Sequence, residues 1–103
     1  MNAKTYLWNI FEAAREERTD GDNFQGDLGT AAACFVNGLE PGGKQYRGME
    51  GLDKPSLLAE LQEPEARTAF VNDANRLIQD HYAELVKAFN EGDREGFEAI
   101  LDE

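Results

Sequence analysis

Apolar residues recur along this chain at helical spacing. Ala3, Leu7, Ile10, Phe11 and Ala14 fall on one stripe, which predicts an amphipathic helix over residues 3–18. Arg15 and Arg18 suit its C-terminal end, Glu16 and Glu17 do not, and Gly21 ends it in a turn. Residues 28–39 admit two readings. As a helix capped by Asp27 and ended by Gly38, they place Leu28, Ala31, Ala32, Phe35 and Leu39 on one face. As a strand, Phe35 and Val36 lead into a small hairpin within 34–49. Three consecutive alanines, at 31, 32 and 33, favour the helix.

Residues 40–55 carry Gly42, Gly43, Gly48 and Gly51 with Pro41 and Pro55, and read as a Gly-rich loop with a short extended piece around Tyr46. Asp53 and Pro55 announce a helix over 56–62, and Pro64 fits the first turn of the next one. Neither Gly nor Pro interrupts residues 65–89. There Phe70, Ala74, Leu77, Ile78, His81, Leu85, Ala88 and Phe89 trace a continuous stripe. The result is one long helix over about 64–90, roughly 39 Å at 1.5 Å per residue. Residues 90–93 break it, and Asp93 can cap a last helix that turns Phe97, Ile100 and Leu101 inward. The expected fold is all-α: a compact bundle of four to five helices around the long one, in one helical domain spanning 1–103. The alternative is α+β, with the hairpin. The expected core is Leu7, Ile10, Phe11, Phe35, Phe70, Leu77, Ile78 and Leu85.

Composition supports a folded chain. Of 103 residues 41% are apolar, and six Phe, three Tyr and one Trp supply bulky anchors. Charge changes the picture more. Twenty-one acids against ten bases leave a net charge of −11. Residues 1–39 hold six acids and three bases, 40–55 three of each, and 56–103 twelve and four. Such a surface repels nucleic acid and anionic lipid and attracts basic protein surfaces. Direct phosphate binding needs clustered Lys and Arg, which the chain lacks. A plainer role for the charge is solubility. No apolar run reaches the ~18 residues of a membrane span. The N-terminus, with Lys4 leading into an amphipathic pattern, is unlike a signal peptide. A cytoplasmic setting is therefore expected.

Signals for chemistry are weak. Residues 38–45 approach the phosphate-binding loop pattern, but Gln45 stands where a hydroxyl must hold magnesium, and Gly48 and Gly51 disfavour the helix that should follow. Residues 20–27 place Asp20 and Asp22 at the first and third positions of a calcium loop. Phe24, Gln25 and Ala31 then occupy its fifth, sixth and twelfth positions, so a solvated acidic turn fits better. His81 is the lone histidine and lies on the apolar side of the long helix, where a core or boundary role is expected. Cys34 is the lone cysteine, sits in an apolar run, and reads as a small buried hydrophobe. No catalytic residue, cofactor or metal is expected, and the protein reads as a binder, not an enzyme.

The acids sort into two groups. Asp73, Arg76, Asp80, Glu84, Lys87 and Glu91 form one stripe on the long helix, with opposite charges three or four apart that can pair. The C-terminal group is different: Glu91, Asp93, Glu95, Glu98, Asp102 and Glu103 stand against Arg94 alone. Glu98 and Asp102 repel at i+4, and negative charge near a helix C-terminus opposes its dipole. Nothing local is stabilised by this arrangement, so these six residues are the expected partner-binding surface. The expected function is inhibition or regulation of a basic, nucleic-acid-binding protein by an acidic surface that imitates DNA. Small anti-restriction and anti-CRISPR proteins offer an analogy in size and charge, without a shared motif. The alternative is a helical adaptor or assembly protein, homodimeric in one version, whose charge serves only solubility. If the C-terminal acids are not the surface, the neutral loop around Tyr46, Arg47 and Met49 takes their place.

Overall fold

The structure, a computed structural model, describes residues 2–17, 24–43, 49 and 51–102, with the backbone alone for 16, 17 and 24–29. These residues form five helices: α1 (Ala3–Glu17), α2 (Phe24–Gly38), α3 (Lys54–Glu60), α4 (Pro64–Asn90) and α5 (Arg94–Leu101). The described residues contain no strand, and α2 runs through to Gly38, so the hairpin reading is overturned. Asp27 lies inside α2, not at its cap, because the helix begins at Phe24.

The stripe that predicts α1 is the face it buries: Ala3, Leu7, Ile10, Phe11 and Ala14 are all in the core, joined by Ala13. Asn2 opens the helix by accepting a hydrogen bond from the Lys4 amide at 2.9 Å. From α2, Ala31, Ala32, Phe35 and Val36 are buried. The two helices pack against each other more extensively than any other pair.

Asp53 caps α3 through its carboxylate, which accepts from the Ser56 amide at 3.3 Å and from its hydroxyl at 2.8 Å. The helix therefore starts at Lys54, two residues before the expected boundary. Pro64 occupies the first turn of α4, where its missing N–H removes no helical hydrogen bond. Arg67 ties this junction together: its Nε donates to the Leu61 carbonyl at 2.7 Å and its Nη2 meets Glu40 at 2.7 Å.

The long helix packs against α2 and also against α1 and α5. Phe70 stacks on Phe35 of α2 at 6.1 Å, while Phe89 lies edge-on to Trp8 and Phe11 of α1 at 4.9 and 5.4 Å. The expected stripe is buried at Phe70, Ala74, Ile78, Leu85, Ala88 and Phe89. Leu77 and His81 are only half-buried, and at His81 the backbone leaves the helical region (φ −129°, ψ 23°), kinking α4. Opposite these two positions lie the start of α1 and the end of α5, Asn2 to Lys4 and Leu101, which leave a polar cleft.

Gly92, with φ of 70°, ends α4 in a Schellman arrangement: its amide donates to Phe89 at 3.1 Å and the Asp93 amide to Ala88 at 2.9 Å. The Asp93 side chain then caps α5, accepting from the Gly96 amide at 3.0 Å. Asp93→Ala should lower stability by about 1 kcal/mol while Asp93→Asn should be nearly neutral. Urea denaturation of the pair checks this, and equal losses from both would mean that the cap contributes nothing.

Candidate functional site

The C-terminal acids gain their geometry from how α5 is held. Phe97 and Leu101 are buried, and the Phe97 ring stands edge-on to Phe11 at 5.0 Å and to Trp8 at 5.1 Å. Trp8 and Phe11 in turn meet Phe89 of α4. Four rings from three helices thus anchor an eight-residue helix too short to persist alone. Arg15 closes the far side of the cluster, its guanidinium 4.1 Å from the Phe89 ring and 3.3 Å from Asn90 Oδ1.

With Phe97 and Leu101 turned inward, helical periodicity sends Glu95, Glu98 and Asp102 outward on one stripe at i, i+3 and i+7, and all three are exposed. Glu91 is exposed at the end of α4, Asp93 is exposed at the cap, and Glu103 lies outside the described residues. The acids are not all idle. Beyond the cap made by Asp93, Glu98 accepts from Arg94 Nε at 3.2 Å, and Asp102 lies 3.9 Å from Lys4 Nζ. The expectation that this group stabilises nothing locally is corrected for those three residues. Among the described residues the side chains of Glu91 and Glu95 make no hydrogen bond or ion pair. The Arg94–Glu98 pair follows from i+4 spacing and was legible. The pair between Lys4 and Asp102 joins the two ends of the chain and has no local signal.

These groups border a cleft of about 310 Å³ between α1 and α5, lined by Lys4, Thr5, Arg94, Glu98, Leu101 and Asp102. Arg94 also reaches Trp8, its guanidinium carbon 5.8 Å from the ring centroid. The Trp8 Nε1 donates to Glu12 at 3.2 Å, so this half-buried ring is held by packing on one side and a hydrogen bond on the other.

The acidic stripe of α4 is also exposed throughout, from Asp73 to Glu91. Of its possible pairs, Asp73–Arg76 forms at 3.8 Å. Asp80, Glu84 and Lys87 make no ion pair among the described residues.

Other candidates lie elsewhere. Cys34 is a half-buried free thiol packed against the core. Asp20 and Asp22 lie outside the described residues, as do Tyr46 and Arg47, while Met49 is 1% exposed and belongs to the core. That burial removes Met49 from the alternative surface. The loop pattern at 38–45 begins inside α2, at Gly38, and its Lys44 and Gln45 lie outside the described residues. No three potential metal ligands converge among the described residues, and no helix there is long and apolar enough to cross a membrane. Compared with known proteins, the chain matches no family model, no curated protein and no solved structure.

Proposed function

We propose that this protein is a small acidic binding module. In this reading it engages a basic, nucleic-acid-binding protein through the outer face of α5 and the adjoining end of α4, and inhibits it by occupying the groove meant for nucleic acid. The observation that carries the reading is the exposed stripe of Glu95, Glu98 and Asp102 on a helix pinned through Phe97 to Trp8 and Phe11. At 1.5 Å per residue these carboxylates advance by about 4.5 and 6 Å along the axis. One DNA strand presents a phosphate about every 3.4 Å of axis, so the spacings are of the same order. A pinned helix presents its charges without the ordering cost of a flexible tail.

A second point favours this reading over an adaptor that docks through apolar surface. Among the described residues no large hydrophobic side chain is exposed. An apolar groove does run between α2 and α4, past Val36 and Val71, but it is rimmed by Asn37, Thr68 and Asn72.

The test is capture from cell lysate on the immobilised protein, eluted from ~50 to ~500 mM salt, across which the screening length falls severalfold. The expected eluate contains basic nucleic-acid-binding proteins, released as salt rises. One exposed pair is worth at most about 1 kcal/mol, or fivefold. Neutralising Glu95→Gln, Glu98→Gln and Asp102→Asn together should weaken binding by ten- to a hundredfold, mainly through a slower on-rate. Circular dichroism should show the fold retained, since none of the three is buried. A partner that resists salt and binds the triple variant unchanged would remove these acids from the mechanism.

A further inference from the structure

Taking the acidic-face reading as its premise, we infer that the cleft between α1 and α5 is a guanidinium subsite, lined in the free protein by the chain's own Arg94 and Lys4. The partner group that fits is an arginine side chain, which enters by displacing Arg94 from Glu98.

Three features single out a guanidinium from cations in general. The first is that a guanidinium already borders the cleft: Arg94 lines it, hydrogen-bonded to Glu98 at 3.2 Å and 5.8 Å from the Trp8 centroid. The second is that the guanidinium lining the cleft reaches both a fixed aromatic ring, Trp8, and a carboxylate, Glu98. A planar guanidinium stacks on aromatic faces and forms paired hydrogen bonds to a carboxylate, whereas an ammonium ion, more strongly hydrated, does neither as well. Trp8 is suited to that role because Phe89, Phe97 and Glu12 hold its ring in place. The third is that the internal contacts are replaceable. Arg94 reaches Glu98 through a single nitrogen, and Lys4 stands 3.9 Å from Asp102. The four side chains are 41–80% exposed, the setting in which ion pairs contribute least. An incoming arginine can therefore exchange for Arg94 at small cost and meet Glu98 with both arms of its fork.

The same contacts make Lys4 and Arg94 built-in competitors. They reduce the negative potential of the α5 face until a partner supplies better-placed cations. Weak or wrongly spaced basic surfaces are then disfavoured, because each must first displace an internal cation.

Two probes test the inference: a hexa-arginine and a hexa-lysine peptide, titrated at ~50 mM salt with calorimetry and with emission from Trp8, the single tryptophan. Hexa-arginine should bind about threefold tighter or more, the range of an exposed cation–π contact, and should shift the Trp8 emission. Lys4→Gln with Arg94→Gln should bind hexa-arginine about fivefold tighter. Arg76→Gln with Lys87→Gln, which changes net charge equally on α4, should change affinity less than twofold. Equal affinity for the two peptides with unmoved Trp8 emission would overturn the guanidinium subsite. So would equal gains from the two double variants, since net charge alone would then explain them. Either result leaves the acidic-face reading intact. If the triple α5 variant binds both peptides as tightly as the parent, the acidic-face reading falls, and the subsite with it.

Discussion

Phe97→Ala is expected to lower the unfolding free energy by about 3–5 kcal/mol, near the top of the range for a single core truncation. The ring is fully buried and touches Phe11 and Trp8 edge-on. Removing it opens a cavity whose walls, the Trp8 and Phe11 rings of α1, are backed by Phe89 of α4 and have little freedom to collapse. The loss is also concentrated. Besides Phe97, only Leu101 and the half-buried Ile100 hold the inner face of α5, and a helix of eight residues has no stability of its own to offset that loss. Two readouts should therefore move together in urea denaturation: a lower midpoint, and an altered Trp8 emission in the native baseline. At roughly 4–8 °C per kcal/mol for a domain of this size, the melting temperature should fall by well over 10 °C. A loss below about 1 kcal/mol would mean that α5 is not anchored by this cluster. The acidic stripe would then stand on a helix free to detach.

The parts of the fold that were legible are those decided locally. The α1 stripe, the Asp53 and Asp93 caps, Pro64 at the head of α4 and Gly92 at its end each act within about one helical turn, and each stands where its residues imply. The start of α2 was not legible. Gly26 and Asp27 are poor helix formers, so the pattern makes Asp27 the cap and begins the helix at Leu28, yet it starts at Phe24. Propensity is a weak prior that tertiary context overrides. The half-burial of Leu77 and the kink in α4 at His81 were also out of reach. Periodicity says which side of a helix faces inward, and it does not say that a cleft awaits there. For the candidate site the division is the same. The alignment of Glu95, Glu98 and Asp102 follows from spacing, whereas Lys4 against Asp102 and Arg94 over Trp8 depend on how α1 lies beside α5.

Two neighbouring glycines, Gly42 and Gly43, follow α2, and substitutions there should separate two different reasons for a glycine. Gly42 adopts φ of 81° with open space around it. A side chain fits, but the left-handed backbone is unfavourable, so Gly42→Ala should cost about 1 kcal/mol. Gly42→Asn should cost less, since asparagine visits this conformation more readily. Gly43 has no such torsion. A Cβ there would instead run into the backbone carbonyl of Asn37 and come within 3.1 Å of that of Glu40. Neither obstacle is a flexible side chain, and Asn37 belongs to the last turn of α2, so relief requires that turn or the chain after it to shift. The shift would disturb the Gly43 amide, which donates to Glu40 at 3.0 Å, and the Glu40 carboxylate that holds Arg67 at 2.7 Å. Arg67 in turn holds the Leu61 carbonyl, so the disturbance reaches the junction of α3 and α4. Gly43→Ala should therefore cost about 1–3 kcal/mol, the usual range for forcing atoms into filled space, and Gly43→Asn at least as much. Chemical denaturation of the four variants decides the matter through the order of their losses. If asparagine rescues position 43 as it does 42, or if Gly43→Ala unfolds within about 0.5 kcal/mol of the parent, the close approach to α2 is not what requires glycine there.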